Sequence, residues 1–277
     1  MSGTLRVFHA EFVRMLRSRS AWAALLVLAG LSALRVLAAV SSAVTGQDGH
    51  SPVSSGAAWG PFVDGWRTGL TLGCLGLLVL AARSIAGDLE QGVLRVAVTR
   101  SVTRPALILG RLLLAPAQVL LVIVGTGLAS WLVASIYGDF GPFVEDGYEM
   151  SSAAELRSEL GRAVLAAVPP MIATYAFGLL VSSLARSATE AVVGSLGVFL
   201  AFDMFKEALG GAQYWVFASY APTLADGSAL SEMSGVARGY SDAGFSAAFL
   251  RMNHIIPWPE AFLLTLAACL VLSRRSL

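Results

Sequence analysis

The sequence predicts an all-α integral membrane protein of about six transmembrane helices with an N-terminal amphipathic interfacial helix. Three observations predict it: the composition, the length of the apolar blocks and the sidedness of the charges. Of 277 residues, 56% are hydrophobic and only 13% charged, with a mean hydropathy of +0.71, which is more apolar than a soluble domain that must keep a watered surface. The apolar residues come in blocks near the roughly 20 residues that a helix needs to cross a hydrocarbon core of about 30 Å. A transmembrane barrel would instead show segments of about ten residues alternating apolar and polar, and that pattern is absent. Cys74 and Cys269 each sit inside an apolar block with no second Cys or His at ligand spacing, so neither a disulfide framework nor a metal site is expected.

The elements follow in order. Residues 1–20 carry Arg6, Arg14, Arg17 and Arg19, while Leu5, Phe8, Phe12 and Met15 recur at spacings of three, four and three, one face of a helix. A basic amphipathic helix with aromatic residues on its other face suits a membrane interface. Residues 21–277 then form the transmembrane domain, with spans at about 21–44, 66–86, 105–137, 163–185, 188–209 and 258–273. The first apolar stretch exceeds the 7 to 15 residues typical of a secretory signal, so it reads as an uncleaved span. Arg35 falls in its outer half, placed to snorkel outward or to face the bundle. Gln47–Pro61 is rich in Gly, Ser and Pro and reads as an exposed loop, after which Trp66 anchors the second span. A polar stretch runs from Arg83 to Arg104. The third span is uncharged from Leu112 to Tyr137. An acidic loop follows, with Asp139, Glu145, Asp146, Glu149, Glu155 and Glu159, and the Pro169-Pro170 pair should kink the fourth span. Asp203, Lys206 and Glu207 interrupt the far end of the fifth. Tyr214–Ala225 is aromatic and apolar but too short to span, which fits a re-entrant or interfacial element.

Charge sets the orientation. Residues 1–20, 83–111, 186–190 and 274–277 hold twelve arginines against four acids, and the opposite set of loops holds six basic residues against fourteen acids. Because Lys and Arg accumulate on the cytoplasmic side, the chain is expected in the cytoplasmic (inner) membrane with both termini cytoplasmic, which requires an even number of spans.

Motifs for chemistry within the chain are missing. There is no G-x-x-x-x-G-K-[ST] phosphate loop, no H-E-x-x-H and no G-x-S-x-G elbow, and His9, His50 and His254 lie far apart. No enzyme activity, bound cofactor or nucleic-acid partner is expected of the chain itself. The intramembrane ionisable residues Arg35, Asp203, Lys206 and Glu207 are costly in lipid. Asp203 and Lys206 stand at i, i+3, a spacing that allows an ion pair; the reading favoured here is a pair at the outer interface with Lys206 snorkelling, and a proton or ion pathway is the alternative.

The stretch 88–111, DLEQGVLRVAVTRSVTRPALILGR, resembles the cytoplasmic segment of type-2 (ABC-2) ABC transporter permeases. The family pattern is an acidic pair, Gly-Thr-Leu, a short apolar run, Pro-Val-Ser-Arg, and six residues later Gly-Lys. Asp88 and Glu90 match the acidic pair, Gly92 and Leu94 the Gly and Leu, and Val102, Thr103 and Arg104 stand for Val-Ser-Arg. Gly110-Arg111 replaces Gly-Lys, Val93 takes the Thr position and Ser101 the Pro. The N-terminal helix is similar to the family's elbow helix. The resemblance implies a permease subunit that moves or extracts a substrate across the membrane. ATP would be bound on a separate ABC ATPase subunit, with a second permease copy or paralogue completing the unit. It also implies that 88–104, with Arg95, Arg100 and Arg104 at helical spacings, seats on the ATPase. An alternative is a membrane anchor that passes ATPase-driven work to an accessory protein on the outer side, for which the acidic outer loops would serve as a docking face.

Overall fold

The computed structural model describes residues 3–44, 56–92, 103–145, 148–224, 233 and 247–275. Within them lie helices α1 (Gly3–Arg17), α2 (Arg19–Val44), α3 (Trp59–Glu90), α4 (Arg104–Leu112), α5 (Ala115–Tyr137), α6 (Ala153–Leu184), α7 (Ala188–Phe205), α8 (Ala247–Ile255) and α9 (Pro257–Arg274). A short hairpin, β1 (Phe143–Glu145) and β2 (Tyr148–Ser151), pairs antiparallel before α6, and 3-10 turns cover Lys206–Trp215 and Phe217–Ser219. Among the described residues, six helical segments are long and apolar enough to cross a membrane. The chain is a multi-pass membrane protein.

Helix length and apolar length differ for a physical reason. At about 1.5 Å per residue, the 32 residues of α3 and of α6 reach roughly 48 Å, well beyond the hydrocarbon core of about 30 Å. The apolar run marks only the lipid-crossing part, and the backbone continues as helix into charged sequence at both ends. The residues read as exposed loop up to Pro61 therefore give way to helix at Trp59. Its indole donates to the Gly141 carbonyl at 3.0 Å and its ring meets Phe140 edge-on. Pro61 falls in the first turn, where a missing N–H costs nothing. The acidic loop is likewise structured, since Ser152 accepts a hydrogen bond from the Glu155 N–H while the Glu155 carboxylate accepts from the Ser152 N–H at 2.9 Å, a capping box that starts α6.

Proline shapes two spans differently. The third is split at Leu113–Leu114 because Pro116, near the start of α5, has no N–H to bond back one turn. The expected effect of Pro169-Pro170 on the fourth span is milder in its outcome: α6 runs on through both. Pro170 leaves the Ala166 carbonyl without its helical donor, and the Asn253 amide of α8 supplies one at 2.9 Å. The freed polar group is thus satisfied inside the protein, as lipid requires.

The helix α3 is central, packing on α2, α5, α6 and α7, while α9 packs on α6 and α4. Gly65, Gly69 and Gly73, one turn apart, let α2 and α5 approach its backbone. A Cβ on Gly69 would lie 2.6 Å from the Thr126 Cβ. Ser32 Oγ threads this junction, donating to the Gly65 carbonyl at 2.8 Å and sharing a hydrogen bond with Ser130 Oγ at 2.6 Å. On the other side of α3, Ser182 Oγ of α6 accepts from the Ile85 and Ala86 N–H groups at 3.1 and 2.9 Å.

Gly69→Leu should destabilise the detergent-solubilised protein by about 1–3 kcal/mol through overpacking. Gly161→Leu, where an added Cβ meets nothing within 4 Å, should leave stability unchanged or raise it by up to about 1 kcal/mol, because glycine is the poorer helix former. Thermal unfolding followed by size-exclusion fluorescence compares the two.

Candidate functional site

The flanks of residues 93–102, the end of α1, the turn between α6 and α7 and the end of α9 converge at one end of the bundle. These are the loops whose arginines set the predicted orientation. Their side chains are joined across the helix ends.

The first junction is built on Arg111, whose side chain is only 4% exposed. Its Nε and Nη2 donate to Glu11 Oε1 at 3.1 and 3.0 Å, and Nη2 also pairs with Asp88. Arg14 approaches both acids, at 3.8 Å from Glu11 and 3.9 Å from Asp88. A guanidinium this buried is stable only with paired carboxylates. The neighbouring Gly110 explains itself sterically. A Cβ there would meet Val7 Cγ1 at 2.6 Å and the Thr4 carbonyl oxygen at 3.0 Å, so only glycine lets α1 lie against α4.

These contacts divide α1 into two faces. Thr4, Val7, Glu11 and Arg14 turn toward α4 and the end of α3. Of the predicted apolar stripe, Leu5 is exposed while Phe8, Phe12 and Met15 are half-buried, and Phe8 stacks on Phe12 with centroids 5.8 Å apart. Ser18 Oγ accepts from the Ala21 N–H at 3.3 Å and opens α2.

The second junction uses Glu90. Its carboxylate accepts from the Ala188 N–H, the first of α7, at 3.1 Å, where negative charge suits the helix dipole. Gly92 then ends the α3 segment at φ +71°, the left-handed conformation that glycine alone adopts freely. Leu94, Arg95 and Arg100 lie outside the described residues.

At the third junction Arg104 turns inward. Its Nη1 donates to the carbonyls of Leu272, Ser273 and Arg275 at 3.3, 2.9 and 2.7 Å. Arg275 in turn donates from Nη1 to the carbonyls of Ser183 and Ala185, both at 2.8 Å.

Deeper in the bundle, Lys206 Nζ donates to Asp203 Oδ1 at 2.9 Å and Thr223 Oγ1 donates to the same oxygen at 2.6 Å. Lys206 and Asp203 are both buried, at 7% and 2% exposure, so the expected snorkelling lysine at the outer interface is corrected to an enclosed pair. Asp203 stands fifteen residues past Ala188, in the last turn of α7. Beyond it the chain leaves the α-helix, turns back through the 3-10 segments and returns to Asp203 at Thr223. This folded-back course includes residues 214–224 of the segment expected to be re-entrant or interfacial. Glu207 is exposed. Arg35 pairs with Asp64 at 3.4 Å, its own side chain 45% exposed and that of Asp64 4%.

Sequence reasoning missed Glu11, Asp64 and Arg275 as partners. Glu11 carried a signal, as the one acid among the first 20 residues. Asp64 and Arg275 gave none, because their partners are distant in sequence.

The family of ABC-2 family transporter proteins matches residues 5–223, more than half of the chain. No curated protein matches it. The matched region includes Glu11, Asp88, Glu90, Arg104 and Arg111.

Arg111→Met should strand Glu11 and Asp88 and cost about 3–5 kcal/mol of stability. Adding Glu11→Gln should restore part of it, giving a coupling of about 0.5–3 kcal/mol in a double-mutant cycle. Denaturant unfolding of the four forms in detergent checks both figures.

Proposed function

The chain belongs to the ABC-2 transporter family, and we propose that it is the permease subunit through which a separate ATPase moves a substrate across the cytoplasmic membrane or extracts it from the bilayer. Membership makes it the membrane component of an ABC transporter. The observation that supports the finer reading is the anchoring of both flanks of residues 93–102. On one side Asp88 and Glu90 grip α1, α4 and α7, and on the other Arg104 grips the end of α9.

A segment held this way is a lever. Force applied to 93–102 by an ATPase would reach helix ends through charge-assisted hydrogen bonds, each worth about 1.5–3 kcal/mol, rather than dissipating in a loose loop. Two states with different contacts are needed for such force to do work, and ATP binding and release on the partner supply them. Arg95 and Arg100 are the residues of the segment that face the ATPase in this reading. Arg104, occupied with carbonyls of α9, supports the segment from behind.

The same reading places the arginine-rich end in the cytoplasm and sets α1 in the membrane interface with its outer stripe toward lipid. A second permease copy or a paralogue completes the pathway. Lipid-like or amphipathic substrates suit the mostly apolar spans.

Two experiments test the reading. Gentle purification of the tagged chain should bring an ABC ATPase with it, and Arg95→Glu with Arg100→Glu should abolish that association while leaving the chain folded; an intact chain that never brings an ATPase overturns the proposal. For orientation, a cysteine at position 186 should react with a membrane-impermeant maleimide only after the cells are opened, and one at position 139 should react in intact cells.

A further inference from the structure

We propose that Arg104 is a relay rather than a docking residue: it carries motion of the start of α4 into the last described span, α9, and Arg275 passes that motion on to α6. The inference deepens the permease reading above and rests on it.

The geometry is a chain of three elements far apart in sequence. Arg104 begins α4, two residues after the stretch that precedes it, yet its guanidinium lies on the final turn of α9, bonded to the carbonyls of 272, 273 and 275. At Arg275 the backbone leaves the helix in an extended conformation, φ −74° and ψ 130°. That exit presents the Arg275 carbonyl to Arg104 and leaves its side chain free to reach α6. There the Arg275 guanidinium covers the carbonyls of 183 and 185.

Helix C-termini leave their last carbonyls unsatisfied and carry partial negative charge. Each arginine therefore meets a helix end that needs a cationic donor. The links differ in kind from packing between helix sides. Apolar sides slide past one another at little cost, whereas a guanidinium fork bonded to several carbonyls fixes both position and direction. Motion of the start of α4 along its axis consequently pulls on the end of α9. The end of α6 follows through Arg275, and it is also tied directly to α3 by Ser182.

Simple capping would stabilise the fold without carrying motion, so the test must read a change linked to ATP. The complex of the full chain with its copurified ATPase, in lipid nanodiscs, is compared without nucleotide and with ATP plus vanadate by hydrogen exchange. In the intact chain, protection should change at 84–92, 178–186 and 266–275. With Arg104→Ala the ATPase should still copurify and the change at 84–92 persist, while the change at 266–275 falls below half. Loss of the ATPase from Arg104→Ala assigns the residue to docking and overturns the relay. An undiminished response at 266–275 overturns it as well.

Arg275→Ala tests the second link independently and carries the test alone where Arg104→Ala is not recovered. It should keep the response at 266–275 and reduce that at 178–186, and an unchanged 178–186 response removes the link to α6. Arg104→Lys, which retains a cation with a poorer geometry, should give a response at 266–275 between those of the intact chain and Arg104→Ala. An intact chain that binds its ATPase but shows no nucleotide-linked change at 266–275 overturns the relay and leaves the permease reading standing. An intact chain with no ATPase overturns both.

Discussion

Satisfying backbone polar groups where water is absent is the constraint on which this structure depends. Within lipid an unpaired carbonyl or N–H costs several kcal/mol, and the chain creates such groups repeatedly, at prolines, at helix ends and where α7 stops short. Several are met by a side chain from another element, some inside the bundle and some at its arginine-rich end. Asn253 serves the Ala166 carbonyl that Pro170 releases, Glu90 serves the first N–H of α7, and Arg104 and Arg275 serve the ends of α9 and α6. The hydrogen bonds that satisfy these groups therefore also connect its spans. Stability and mechanical connection have one origin.

The same logic accounts for the buried charges. Asp203 and Lys206 neutralise each other, and Thr223 uses the shared carboxylate oxygen to bring the returning chain against α7. Irregular backbone within a span is tolerated only when enclosed by protein. Phe217 packs near Phe177 and Phe199, and its N–H donates to Glu260 of α9. The ion pair is a tether for a folded-back segment, which is a structural use of charge distinct from the arginine clusters at the bundle end.

How much of this was legible in the sequence depends on range. The apolar blocks located the spans, because hydrocarbon thickness acts on consecutive residues. The helix ends were not legible from the same signal, since Trp59, Asp88 and Glu90 lie beyond the apolar run yet remain helical. Spacing within one helix was readable: the i, i+3 relation of Asp203 to Lys206 implied their pairing, and Gly65, Gly69 and Gly73 declare a close-packing face that went unread. Partners brought together by the fold were beyond reach. Nothing near Arg35 in sequence points to Asp64, and nothing near Arg104 points to Arg275. The motif residues of 88–111 were noticed through the resemblance to the family pattern, but their partners came only from the geometry.

The departure from the family pattern at Arg111 then acquires a reason. A lysine, as in the pattern's Gly-Lys, is a compact point charge with no fixed fork. Here one guanidinium must hold two carboxylates from different elements, Glu11 of α1 and Asp88 of α3, and it does so by presenting Nε and Nη2 along one edge. The remaining nitrogen, Nη1, has no hydrogen-bond partner although it is buried, a cost accepted for the sake of that edge. Gly110 immediately before it supplies the close approach that brings Glu11 within reach. Arg111, the lone acid in a basic N-terminal helix and the glycine at the contact thus act together: they fasten α1 to α4 and to the end of α3.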